Sequence, residues 1–116
     1  MILLLAAAIL LGHHSLAADF DTSKPVTLTG RVEKIEWMNP HVHIYLDVDG
    51  DHWSVEMGSP NGLMQRGWTL KTLNIGDRIT VEGSRAKDGS RIANARSIVL
   101  ATGTRMSAAP PDGKTS

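Results

Sequence analysis

The sequence predicts an all-β domain: a small five-stranded Greek-key barrel with one short helix between its third and fourth strands. Short segments that alternate apolar and polar residues are separated by turn signals rich in glycine, proline, asparagine and aspartate. Their order is three strands, a short helix and two strands, with glycine inside the first and fourth strands. The chain has 116 residues, enough for one small core, and the barrel is expected over residues 20–100.

The N-terminus predicts export. Ile2 to Leu11 form an unbroken apolar run of ten residues, too short for a membrane span and typical of the apolar region of a signal peptide. We expect residues 1–17 to be a signal peptide and the mature protein to be periplasmic or secreted, with no membrane span. The alternative is a buried N-terminal helix of a cytosolic protein, which the lack of a polar face disfavours.

The cleavage site decides how many histidines the mature protein keeps. Small residues before the bond favour cleavage after Ala17, and cleavage after Gly12 is the alternative. His13 and His14 remain in the mature chain only in the second case.

The first strand is expected from Val26 to Trp37, after a polar lead-in. Its apolar phase shifts near Glu33 or Lys34, which indicates a β-bulge, and Gly30 suits a sharp bend. The first strand should therefore be long and coiled.

The second and third strands form a hairpin around Asp49 and Gly50, a two-residue turn signal. Pairing across this turn puts the large apolar side chains on one face and the polar side chains on the other. The predicted apolar pairs are Leu46 with Trp53, Ile44 with Val55 and Val42 with Met57. The predicted polar pairs are Asp47 with His52, Tyr45 with Ser54 and His43 with Glu56, with His41 near the end of this face.

The rest of the barrel follows from turn and cap residues. Ser59 is expected to cap a helix of about two turns that ends near Gly67, with Trp68 packed beneath the barrel. The fourth strand is expected over 78–82 and the fifth over 92–100, where alanines compete with Ile98 for the inward face. The remainder, 101–116, has no periodicity and is expected to be a disordered tail.

This pattern matches the five-stranded OB-fold. Four segments, "FDTSKPVTLTGRV", "WMNPH", "WSVEMGSPNGLMQRGW" and "RAKDGSRIANARS", also resemble an exported bacterial family known as domain of unknown function 6152. The resemblance implies export and a small β-barrel, without implying an activity. That family usually has "HHS" just after the cleavage site. His13, His14 and Ser15 match this motif, whereas Leu10 to Gly12 depart from the small residues expected before it.

The amino-acid composition argues against some classes of binding partner. There are 12 basic and 12 acidic residues, and the formal net charge is zero, so the basic footprint of a nucleic-acid binder is missing. Tyr45 is the one aromatic residue expected to face outward from the hairpin, which gives bases little to stack on. The chain has no cysteine, which excludes disulfides and thiolate metal sites. We therefore expect no nucleic-acid partner.

The outer hairpin face is where an OB-fold usually binds its ligand. The predicted ligand face consists of His41, His43, Tyr45, Asp47, His52, Ser54 and Glu56. Within it, imidazole and carboxylate groups are typical ligands of copper or zinc. The predicted metal ligands are His41, His43 and Glu56, with His13 or His14 as a further donor from the N-terminus.

Plainer interpretations remain open. Exposed cross-strand pairs of histidine with carboxylate are common in sheets, His41 can cap the turn at Pro40, and Ser59 is explained by helix capping rather than nucleophilic catalysis. The sequence therefore predicts a binding module and not an enzyme. Its ligand is copper or zinc, or alternatively an envelope protein or a glycan that docks without metal.

Overall fold

The computed structural model describes residues 19–109, which contain six strands and one helix. In chain order these are β1 (Phe20–Glu36), β2 (His43–Val48), β3 (Asp51–Glu56), α1 (Pro60–Gln65), β4 (Arg78–Ala86), β5 (Ile92–Val99) and β6 (Arg105–Ser107). The predicted all-β class, with a short helix between the third and fourth strands, is confirmed. The predicted signal peptide lies outside the described residues.

Five of the strands close into a barrel. The hydrogen-bonded order is β3-β2-β1-β4-β5, and a parallel pairing of β3 with β5 joins the two ends. The other four pairings in the ring are antiparallel. This is the predicted five-stranded Greek-key barrel of the OB type. Side chains buried at its centre come from every barrel strand and from α1.

Strand β1 serves both halves of the barrel because it is long and irregular. It pairs with β4 from Phe20 to Arg31 and with β2 from Arg31 to Glu36, and its register with β2 shifts between Val32 and Lys34. That shift is the predicted bulge. The strand starts earlier than Val26, the predicted first residue, because residues of the polar lead-in pair with the end of β4, a tertiary contact that leaves no apolar period in the sequence.

The hairpin has the predicted register. Leu46 pairs with Trp53, Ile44 with Val55, and His43 with Glu56. The turn residues Asp49 and Gly50 have φ angles of 52° and 91°, as a type I′ turn requires. Because side chains alternate along each strand, this register buries one face of the hairpin and leaves the other accessible.

Helix α1 and Trp68, three residues beyond its end, pack on the barrel core. The Ser59 hydroxyl accepts a hydrogen bond from the Gly62 amide at 3.1 Å, and Gly67 has a φ of 95° beyond the helix end. Trp68 is buried in the core, and its indole nitrogen donates to the Ser107 carbonyl at 2.8 Å. The predicted cap and the inward position of Trp68 are confirmed.

The chain after β5 differs from the predicted disordered tail. Residues 105–107 form β6, which pairs antiparallel with β5, and Ala108 is buried. The Ala108 amide donates to the Arg96 carbonyl, and the Ala108 carbonyl accepts from the Gly58 amide, both at 2.8 Å. A strand of three residues is too short to show an alternation of apolar and polar side chains in the sequence. It forms because its backbone pairs with β5. Residues 110–116 of the predicted tail lie outside the described part.

Strand β5 changes its inward phase at an irregularity opposite Gly83. Ala93, Ala95 and Ile98 are all buried, although strict alternation would not place all three on one face. The register shift between Glu82 and Gly83 makes room for an extra residue in β5 at this point. Because of this bulge, both the alanines and Ile98 face inward, so the sequence did not have to favour one set over the other.

We expect Gly83→Ala to destabilise the barrel strongly. A methyl group there would overlap the backbone carbonyl of Asn94, which cannot rotate away. The expected loss is about 3 kcal/mol in the free energy of unfolding, which lowers Tm by roughly 10 °C or more in thermal melts followed by circular dichroism. Gly58→Ala is the matched control, because the nearest atoms to its added methyl lie at 3.5 Å. Equal melting temperatures for the two variants would contradict this account of the β4–β5 contact.

Candidate ligand-binding cleft

The outer face of the hairpin forms part of a cleft of about 520 Å³. We call it the histidine cleft. It is lined by five predicted face residues, His41, His43, Tyr45, Ser54 and Glu56, and by Phe20, Glu36, Met38, Asn39, Pro40 and Ile92. The structure thus brings five of the seven predicted face residues together and adds side chains from β1 and β5.

Strand register sets the positions of the polar side chains in the cleft. His43 lies between its cross-strand neighbours Glu36 on β1 and Glu56 on β3. His41 precedes β2, but the Val42 amide bonds to the Gly58 carbonyl at 3.0 Å and so extends the ladder past the strand end. His41 therefore shares the face of His43, two residues away.

Two imidazoles converge on one carboxylate at the centre of the cleft. Glu56 Oε1 lies 3.5 Å from His41 Nδ1 and 3.5 Å from His43 Nε2. Its other oxygen accepts a hydrogen bond of 3.4 Å from the Asn94 side chain on β5. The side chains of His41 and Glu56 are 19% and 15% exposed, and that of His43 is 34% exposed, so the cluster is sheltered while still open to a ligand.

A second carboxylate stands beside this cluster. Tyr45 donates a hydrogen bond to Glu36 Oε1 at 2.6 Å, and this bond is the main reason that the pKa of Glu36 is lowered. The ammonium of Lys34 lies 3.4 Å from the other oxygen of Glu36 and 5.3 Å from the centre of the Tyr45 ring. Glu36 is therefore ionised at neutral pH and adds negative charge to the cleft.

The cleft favours a cation at His43. The hydrogen bond with Glu56 raises the pKa of His43, burial opposes the rise, and the charges of Glu56 and Glu36 reinforce it. The ring of His43 also donates a hydrogen bond to the backbone of His41, which raises its pKa further. Within residues 19–109, neither lysine nor arginine lines the cleft. The carboxylates of Glu56 and Glu36 thus favour the protonated form of His43.

Two predicted face residues lie outside the cleft. Asp47 accepts a hydrogen bond from the Gly50 amide at 2.8 Å and so caps the hairpin turn. His52 Nδ1 lies 2.8 Å from Glu33 Oε1, and its side chain is 74% exposed. Both belong to the same sheet face, but their contacts support the turn and the β1 bulge.

Sequence reasoning missed several contributors, among them Glu36, Met38 and Asn94. Glu36 ends β1 and Met38 follows it on the connection to β2, after the bulge has changed the phase, whereas Asn94 comes from β5 through the parallel β3–β5 pairing with Glu56. Alternation after the bulge was a usable signal for Glu36 and Met38, since Ile35 and Trp37 pack on the core. The parallel closure leaves no local signal for Asn94.

The predicted metal ligands are only partly assembled. His41, His43 and Glu56 meet as described, whereas His13 and His14 lie outside the described residues. Among residues 19–109, no group of three or more histidine, cysteine, aspartate or glutamate side chains is arranged as a ready-made metal site. No helix in the same range is long and apolar enough to cross a membrane.

Glu56→Gln should lower the pKa of His43. The pKa of His43 is raised in the folded state. The contact between His43 and Glu56 therefore stabilises the fold fully below the unfolded-state pKa of about 6.5. This stabilisation is lost as the pH rises through the folded-state pKa. NMR titration of the imidazole signals measures the change. Glu33→Gln is the control, because it should lower the pKa of His52 and leave His43 unaffected. An unchanged His43 titration in the Glu56 variant would contradict the assignment.

Solved structures of TiaS, a tRNA agmatidine synthetase, are similar in fold. A complex of TiaS with tRNA and ATP matches with a TM-score of 0.53 and 21% identity, over 69% of this chain and 18% of that one. A ZRD-deleted TiaS mutant with agmatine matches with a TM-score of 0.54 and 20% identity, over 81% and 24% of the two chains. At such identities the likeness shows the fold alone, and this chain spans only about a quarter of TiaS or less.

Membership of a sequence family is a stronger result. No curated protein matches the chain. The model of a family of unknown function matches residues 2–95, most of the sequence, and this agrees with the resemblance seen in its motifs. The chain therefore belongs to the family of unknown function DUF6152.

Proposed function

We propose that the protein is an exported binding module, without catalytic activity, whose histidine cleft binds a transition metal ion, copper or zinc. The observation that carries this proposal is the convergence of His41 and His43 on one oxygen of Glu56 at 3.5 Å each. Two imidazoles and one carboxylate are a ligand set that zinc and other first-row metals accept.

The distances between these donor atoms suit a bound ion. Ligand atoms about 2.1 Å from a tetrahedral ion lie about 3.4 Å from one another. Two of the three separations among His41 Nδ1, His43 Nε2 and Glu56 Oε1 are close to that value. Because the three groups do not form a ready-made site, binding must include an adjustment of at least one side chain.

Outer contacts would help to hold the donors in place. The hydrogen bond from Asn94 fixes the second oxygen of Glu56, and the ring of His43 donates to the backbone of His41. Contacts of this kind orient metal ligands and select the histidine tautomer. They support a site built on strands, where backbone positions are fixed by the barrel.

The proposed further donor from the N-terminus is His13 or His14. Phe20 lines the histidine cleft, so the described chain begins at the edge of the cleft. A segment of the length from His14 to Phe20 can span up to about 20 Å when extended. If the mature chain begins at His13, its α-amine and imidazole form a chelating pair that suits copper.

Several observations support binding rather than catalysis or nucleic-acid recognition. Ser59 is used as a helix cap, and Trp53 and Trp68 are buried. Tyr45 is bound to Glu36, and the chain has zero formal net charge. TiaS binds tRNA, but among residues 19–109 no lysine or arginine lines the histidine cleft, as a nucleic-acid groove would require.

A second candidate is docking of an envelope protein or a glycan without metal. The cleft volume of about 520 Å³ exceeds the needs of one ion and falls within the range of sites for small organic groups. Apolar side chains of Phe20, Pro40 and Ile92 line it beside the polar cluster. A sugar ring or a peptide side chain has the mixed character that suits such a lining.

The metal proposal predicts that the double variant His41→Ala with His43→Ala loses metal binding and keeps its fold. Wild-type protein should bind one equivalent of zinc or copper, and the double variant should bind at least about 100-fold more weakly, beyond the effect of typical outer-contact changes. Isothermal titration calorimetry measures affinity, and circular dichroism checks the fold. His52→Ala is the matched control, because His52 shares the sheet face but lies outside the cleft.

Native mass spectrometry of protein recovered from the periplasm of expressing cells reads the mature N-terminus and any bound metal together. A mass that starts at His13 with a copper or zinc adduct supports the full site. A mass that starts at Ala18 and stays metal-free after both metals are added would refute the metal proposal. Docking of a protein or a glycan would then be the function to pursue.

A further inference from the structure

One methionine stands out by its location. Four large apolar side chains in residues 19–109 are more than half exposed: Met38, Met64, Leu70 and Ile75. Of these, Met38 lines the histidine cleft, where it is 55% exposed. The Met38 side chain is therefore exposed in the same cleft as His41 and His43.

The backbone explains why Met38 lies there. After the bulge in β1, Ile35 and Trp37 pack against the core. Because side chains alternate along an extended chain, Glu36 and Met38 lie on the opposite face, and both line the cleft. The chain then bends at Asn39 and Pro40 and returns with His41 on the same cleft wall. Residues 36–43 thus supply a carboxylate, a thioether and two imidazoles to one cleft.

A thioether distinguishes between metals. It is a soft ligand that favours copper(I), whereas zinc is adequately bound by imidazole and carboxylate. The remaining donors of the cluster, His41, His43 and Glu56, suit both metals. The sulfur of Met38 is therefore the one donor on this wall that would separate the two ions.

We propose that Met38 is a thioether ligand of the histidine cleft and makes it prefer copper(I) to zinc. This proposal rests on the proposed metal-binding function and names the ion that the cleft selects. On this assignment, copper(I) is held by the sulfur of Met38 and the imidazoles of His41 and His43, and Glu56 orients the histidines. Zinc, in contrast, uses Glu56 in place of the sulfur.

Met38→Leu tests the assignment because leucine is close to methionine in size and lacks the sulfur. We expect this variant to bind copper(I) at least about tenfold more weakly, because losing a direct ligand should cost no less than losing an outer contact, with zinc affinity unchanged. Copper(I) affinity is measured anaerobically by competition with a chromogenic chelator, and zinc affinity by calorimetry. Met64→Leu is the matched control: Met64 is 58% exposed, similar to Met38, and does not line the cleft.

X-ray absorption at the copper edge gives a second readout. Wild-type protein loaded with copper(I) should show a sulfur ligand that Met38→Leu loses and Met64→Leu keeps. Unchanged copper(I) affinity in Met38→Leu, or equal losses for copper(I) and zinc, would overturn the role of Met38 while leaving metal binding intact. A wild-type protein that binds neither ion would refute both this inference and the proposed function.

Discussion

The register of the β2–β3 hairpin is the constraint on which the fold and the cleft both depend. A slip of one residue would move Ile44, Leu46 and Val55, which are fully buried, to the outer face. The same slip would separate His43 from Glu56. The type I′ turn at residues 49 and 50 fixes the register from one end, and the buried face fixes it along its length. The hydrophobic core behind the hairpin thus determines where His43 and Glu56 lie.

Closure of the barrel brings polar side chains from β1 and β5 beside the hairpin residues of the cleft. The parallel pairing of β3 with β5 brings Asn94 beside Glu56, and the bulged end of β1 brings Glu36 beside His43. Glu36 depends on the bulge in β1, because strict alternation from Val32 would direct it inward. Asn94 needs no irregularity, because it lies between the buried Ala93 and Ala95 and therefore points outward.

Local patterns predicted the hairpin, the helix cap and the closed barrel, because period-two alternation and turn chemistry specify these features directly. They also placed five of the seven expected face residues in the cleft. The patterns gave no reason to exclude Asp47 and His52 from the cleft. Both lie on the same sheet face as the cleft residues and differ from them only in which side chains surround them. They missed β6 and Asn94, because backbone contacts with distant residues hold the first in place and parallel closure positions the second.

The cleft combines groups on strands with groups on a connection between strands. His43, Glu36 and Glu56 lie on strands whose backbone positions the barrel determines, whereas Met38 and His41 lie on the connection between β1 and β2. Imidazole ligands must lose their protons before they bind a metal, and Glu56 holds the proton of His43 by raising its pKa. A thioether carries no competing proton. If Met38 is a ligand, the cleft therefore keeps one donor that acid does not protonate. For this reason, a fall in pH is expected to displace zinc more readily than copper(I).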